Sequence, residues 1–512
     1  MPMIDRLIGL ISPAAEARRI RARIAVGQLR QLDARLSRRG YDGAKKGRRT
    51  DGWVTSAGSA DSATRAGLTT LRERSRDLVR NNPWAERGVR VIAANTVGCG
   101  IIPQAKTSST KRTAQWETAW RAWADTTACD ADGLHDFYGL QSLVVRSVVQ
   151  DGEVLVRRYW RRAAEGLPVP VQLQVLEADY LDTTKDGIAL AGGGRIIQGV
   201  EFDASGRRVA YWLFDQHPGS VVFGRGGFAS RRIAASEIAH IFRADRPGQV
   251  RGVPWLAPVI IRLKDLDDYE DAQLVRQKVA ACFTAFIHDM EGLDEADSAD
   301  DKTEKFGRVQ PGQIEILPPG KDITFGTPPA AEGYGEHTRA LLRSIAAAFG
   351  TTYEGLTGDL SQVNFSSARM GWLEFHRNVR QWQDQLIVGR LCRQVQRWFE
   401  DAAETGGAAV GPVDTVWTPP RREMIDPVSE TKAIRDKIRA GLSTLSEEIR
   451  ALGRDPAEVL DEMQTDLAAL DARGIVLDVD GRQRTAAGGA VSTPASTDDA
   501  EDAAAGGEKA TA

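Results

Sequence analysis

The chain has 512 residues, 42% of them apolar and 27% charged, with a formal net charge of −3. At roughly 100–200 residues per domain this predicts several structural units with real cores. It excludes a protein that coats nucleic acid with one large basic face, and no apolar run approaches the ~18 residues of a membrane span.

The charge is uneven: residues 1–50 hold thirteen Lys and Arg against four Asp and Glu, a net of +9. This basic stretch reads as a helical arm with a solvated face, or as a nucleic-acid or partner contact. Four cysteines (Cys99, Cys129, Cys282, Cys392) are scattered without ligand spacing and read as reduced thiols of a cytosolic protein. Asp5 and Arg6 interrupt the apolar start, so it is not a signal peptide.

Residues 51–65 form a small-residue linker. Helix signals begin near Leu71, Asn82-Pro83 divides two helices, and Gly98 and Gly100 end the second. Trp116, Trp120 and Trp123 fall on one helical face, a spacing that means core packing far more often than a ligand platform. Residues 137–150 make another amphipathic helix. From Gly152 to Phe242, short runs rich in Val, Ile and aromatics alternate with Gly, Pro and Asp, the pattern of an antiparallel sheet.

After Gly252-Val253-Pro254 a helix is predicted from Trp255 to Phe286, then an acidic loop over 289–305 and short strands in QIEILPP and DITFG. A helix from His337 to Phe349 leads into a glycine-punctuated loop, Gly350 to Ser366. In the next, long helix Trp372, Phe375, Val379, Trp382 and Leu386 step 3-4-3-4; the phase shifts near Gly389 and resumes at Leu391, Val395 and Trp398. Gly406 to Pro420 reads as loop or extended chain. Helices follow over 428–440, 446–452 and 456–473, and residues 481–512 lack core formers and are expected to be disordered.

Catalytic signatures are missing. Gly320-Lys321 continues with Asp322, so there is no P-loop, and no HExxH, GxSxG or Cys/His cluster occurs. Gly224-Arg225-Gly226 with Ala229 fits a loose G-x-G-x-x-A, but a dinucleotide site needs a parallel βαβ unit, and a hairpin loop is the simpler reading. The carboxylates Asp265, Asp267, Asp268, Glu270 and Asp271 lack a histidine partner, so a solvated helix face is favoured over a metal or acid/base site. In a cyclic oligomer such a turn would become a ring of negative charge that repels phosphates. No catalytic residue, metal or cofactor is expected.

Several stretches resemble lambda-family phage portal proteins: LRERSRDLVRNNPWAERGVRVIAANTVGCGIIPQ (71–104), DGEVLVRRYW (151–160), LEADYLD (176–182), the run 241–286, and LTGDLSQVNFSSARMGWLEFHR (356–377). The resemblance covers residues 65 to 475 and omits both ends. It implies an α+β portal-protein fold: helical wing plus antiparallel β region, paired stem helices, small α/β clip, tunnel loop with long kinked helix, and helical crown. The boundaries it suggests are 1–65 basic arm and linker, 66–252 wing, 253–286 stem helix, 287–333 clip, 334–349 second stem helix, 350–366 tunnel loop, 367–403 long helix, 404–427 connecting segment, 428–480 crown and 481–512 tail.

The resemblance also implies a ring, usually dodecameric, at one capsid vertex, assembled in the host bacterial cytoplasm and passing double-stranded DNA without base readout. Its partners would be the large terminase subunit, the major capsid and scaffold proteins, and head-completion and tail connector proteins. Asp359, Leu360, Ser361, Gln362, Val363, Asn364 and Phe365 would form the DNA-facing loop, with Arg262, Lys264, Asp265, Asp268, Asp271 and Arg276 as the charged faces of the stem. Val363 and Phe365 could instead dock into a neighbouring subunit. Other readings are a shorter head–tail connector, or a packaging-module nuclease or nucleotide hydrolase.

Overall fold

The computed structural model describes residues 57–220, 229–281, 285–289, 321–325, 333–407, 410–420 and 423–477, with a few isolated positions besides. The basic arm, the Gly224-Arg225-Gly226 motif, the QIEILPP segment, nearly all of the acidic loop and nearly all of the tail lie outside them. Every named helix and strand belongs to the compact unit that begins at Ala60.

The chain enters through three helices, α1 (Ala60–Arg65), α2 (Leu68–Asn81) and α3 (Pro83–Thr96). Asn82 separates the last two because its backbone is extended, its side chain accepts from the Ala85 N–H at 2.9 Å, and Pro83 suits the first helical turn. Strand β1 (Ile102–Lys106) then leads to α4 (Thr110–Ala124), whose Trp116, Trp120 and Trp123 are all buried. They pack with Phe137, Phe399 and Trp417 at ring separations of 5.0–6.3 Å, so the tryptophan stripe is core.

Helix α5 (Phe137–Asp151) is capped by Asp136 and stopped by Gly152 at φ 90°. The β region follows: β2 (Glu153–Trp160), β3 (Val171–Glu177), β4 (Arg195–Ile197), β5 (Val200–Phe202), β6 (Arg208–Phe214), β7 (Ser230–Ala234) and β8 (Ile238–Phe242). They make two antiparallel sheets, ordered β3-β2-β8 and β4-β5-β6-β7. The segment holding the glycine motif joins β6 to β7, which pair antiparallel, so the dinucleotide reading fails for want of a βαβ unit.

Helix α6 spans Ile260–Ala281, shorter at both ends than the sequence suggested. At its start Pro254 and Pro258 hold Trp255–Val259 in turns. At its end Ala285 and Phe286 belong instead to β9 (Ala285–Asp289), which pairs with β10 (Lys321–Phe325). The helix α7 (Tyr334–Phe349) ends at Gly350, and the expected loop contains one turn of helix, α8 (Tyr353–Thr357), capped by Thr352. Ordinary α-helix α9 (Phe365–Gln381) continues without interruption into π-helical turns over Trp382–Cys392 and then α10 (Arg393–Thr405).

Those π turns are the phase shift seen in the sequence. Leu386 to Leu391 is a five-residue step, and both side chains are buried because each π turn holds an extra residue. Strand β11 (Asp414–Thr418), within the segment expected to be loop or extended, pairs with β1. Helices α11 (Pro427–Arg439), α12 (Leu445–Ala451) and α13 (Pro456–Asp471) close the described chain and bury only Ile449 and Pro456 of their own residues.

Candidate functional site

Four of the stretches that carry the family resemblance meet at one buried charge cluster. Glu153, at the start of β2, is fully buried and accepts from Arg72 of α2 at 3.0 Å, from Arg251 Nε at 2.9 Å, from His240 of β8 at 2.9 Å and from the Gly252 N–H at 2.9 Å. Arg72 continues to Asp179 at 3.1 Å, and Arg76 binds Asp151, Asp179 and Glu177 at 2.6, 2.7 and 3.0 Å. Burial by itself would push the Glu153 carboxyl up, but Arg251 and His240 hold it well below the usual range.

His240 is pushed down to about 4 by burial, against the pull of Glu153. Its Nδ1 accepts from Arg208 at 3.0 Å while Nε2–H donates to Glu153, the pattern of a neutral imidazole. Close backbone contact completes the cluster: a Cβ on Gly252 would lie 2.1 Å from the Gly152 carbonyl oxygen. The cluster fixes α2, the sheet and the entry to α6 relative to one another. Sequence reasoning missed it; the available signal was an acid, Glu153, opening a strand whose next three residues are all apolar.

The expected loop residues are together and mostly exposed. Asp359 is half-buried and accepts from Ser361 Oγ at 2.6 Å and from the Tyr353 hydroxyl at 3.1 Å, and Ser361 lowers its pKa. Asn364 caps α9, accepting from the Ser367 N–H at 2.8 Å. Leu360 is 66% exposed and Phe365 57%, Gln362 is exposed, and Val363 is half-buried. The loop is thus a hydrogen-bonded turn with a polar and apolar rim, built between two helices.

On α6, Arg262, Lys264, Asp265, Asp268 and Asp271 are exposed, and Arg276 is half-buried. Lys264 pairs with Asp268. The acidic run is divided: Asp267 accepts from Asn82 at 2.8 Å, and Glu270 is pushed up by burial, then by Asp267 and Asp271. The inward face carries Leu263 and Leu266, while Tyr269 meets Tyr334 and His337 of α7 at 5.8 and 5.0 Å.

Among the described residues, Glu177, Asp179 and His217 are spaced as metal ligands. Arg76 already binds both carboxylates, so a guanidinium occupies the place of a cation. Cys129, pushed up to about 12 by burial, is no nucleophile at neutral pH.

Residues 46–383 match the family described as phage portal protein, lambda family. The chain belongs to that family. A probable portal protein of Halomonas phage phiHAP-1 is 28% identical over 459 residues, covering 84% of this chain and 87% of the relative. Portal protein B of Escherichia phage lambda is 24% identical over 483 residues, covering 83% and 88%. A chain in the virion of a native gene transfer agent particle is 17% identical with a TM-score of 0.47, covering 76% of this chain and 94% of that one. The chain is therefore a phage portal protein, and its fold is α+β.

Proposed function

We propose that this portal protein assembles into a ring, usually of twelve copies, at one vertex of the capsid, and that double-stranded DNA enters and later leaves through its central channel. The observation that carries this reading is the 358–364 turn and the first residue of α9: a rim exposing Leu360, Gln362, Asn364 and Phe365 within a chain of the portal family. Its side chains suit brief contacts with a moving duplex through phosphates and shape. The regional boundaries are the wing at 66–252, the stem at 253–286 and 334–349, the clip at 287–333, the tunnel loop at 350–366 and the crown at 428–480.

Translocation is passive on the portal's side. A separate terminase motor hydrolyses ATP, and the portal supplies the pore, the docking face for the motor, and a seat for capsid, scaffold and head-completion proteins. No helix among the described residues is long and apolar enough to cross a membrane.

Negative-stain electron microscopy of the purified full chain tests the proposal. Rings with a central hole of ~20 Å or more, given groove widths near 12 Å, are the expected result. Monomers that persist on co-expression with the phage's capsid and scaffold proteins would overturn it, as would ATPase or nuclease turnover by the pure protein.

A further inference from the structure

The π-helical turns place one arginine unusually. Counting by four from Trp382 and Leu386, an uninterrupted α-helix would turn residue 390 toward the core. The extra residue per π turn brings Leu391 into the core at 1% exposure and leaves Arg390 half-buried at the rim. π turns inside α-helices are rare and concentrate at functional positions.

Arg390 lies over the Phe242 ring, its guanidinium carbon 4.8 Å from the ring centre. The guanidinium carbon of Arg208 lies 5.2 Å from the same centre. Arg208 is fixed by the Val250 carbonyl at 3.1 Å and His240 Nδ1 at 3.0 Å. Arg390 has no hydrogen bond and no carboxylate partner among the described residues. The nearby Glu153 is already saturated by Arg72, Arg251, His240 and the Gly252 N–H. Burial, then Arg208, lowers the pKa of Arg390. Two cations therefore lie within 5.2 Å of one ring centre with no carboxylate partner for either among the described residues, a costly arrangement that an anion would relieve.

We propose that Arg390 and Arg208, flanking Phe242, form a binding site for a phosphate-class oxyanion. A planar guanidinium with unused donors matches two phosphate oxygens, the second cation balances a second negative charge, and the ring excludes water from one side. The anion could be free phosphate or a phosphate of the DNA backbone; the site itself does not depend on ring assembly.

The test uses the full chain and inorganic phosphate, titrated against sodium chloride at equal ionic strength while thermal unfolding is followed. Phosphate should raise the midpoint by ~2 °C or more. Arg390→Met should abolish the rise and Arg390→Lys should reduce it. Arg80→Met, which removes an exposed charge from α2, should keep it. Equal phosphate responses in all four proteins, or none in the unaltered chain, would overturn the site. A short DNA duplex separates the sources: weaker binding by Arg390→Met than by Arg80→Met assigns the site to backbone phosphate, and equal binding assigns it to the free ion. Both duplex results uphold the site, and ring formation, scored separately, tests the portal assembly.

Discussion

Glu153 shows how one side chain can hold three segments of the chain. Two arginines, a histidine and a backbone N–H converge on its two oxygens with no water-facing surface. Glu153→Gln keeps the shape and removes the charge, leaving Arg251 buried without its counter-ion and Arg72 with Asp179 alone. The expected loss is about 3–5 kcal/mol, measured by denaturant unfolding; a loss under ~1 kcal/mol would mean the cluster is solvated. His240 adds a pH signature. Its proton uptake is pushed down to about 4 in the fold, against about 6.5 in the unfolded chain. As pH falls the unfolded chain is protonated first, so the contribution is complete above pH ~6.5 and lost on the way down to about 4. His240→Gln should flatten that part of a thermal-stability profile, and an unchanged profile would show that His240 does not titrate there.

At the scale of elements, Asn82 joins two devices. Its Oδ1 caps α3 and its Nδ2 donates to Asp267 of α6, so a cap and an interhelical contact share one side chain. Asn82→Ala should lower stability by about 1–3 kcal/mol, while Asp267→Ala should lose only the second part. Equal losses would assign all of the effect to the interhelical bond. The boundary at Asn82-Pro83, the tryptophan stripe and the phase shift near Gly389 were legible because each follows from local sterics or periodicity. The π turns, the single turn of α8 and the late start of α6 were not. The first two depend on packing, since Leu391 is drawn into the core and Leu356 is buried beneath the loop; the third combines the local effect of Pro254 and Pro258 with the Trp255 N–H donating to the Val149 carbonyl.

At the scale of the whole molecule, the larger of two apolar cores among the described residues runs from α2 to α10, the smaller gathers Leu155, Leu176, Val200 and Tyr211 of the two sheets, β1 pairs with β11, and α11 to α13 contribute little burial. Truncation after Asp426 should therefore leave the main unfolding midpoint within a few degrees of the intact chain, read by calorimetry. Loss of a cooperative transition would show that the terminal helices stabilise the body.

The sequence by itself determined the α+β class, the family and most helix limits, because these rest on composition, periodicity and long ordered matches. The loop holding Leu360 to Asn364 was legible too, although Phe365, expected in it, already opens α9. Only the tertiary structure decided which charges are buried. Arg72, Glu153, Arg251 and Arg390 look alike on paper to dozens of solvated neighbours. The difference lies in removal from water beside partners up to 107 residues away, or, for Arg390, beside no anionic partner among the described residues.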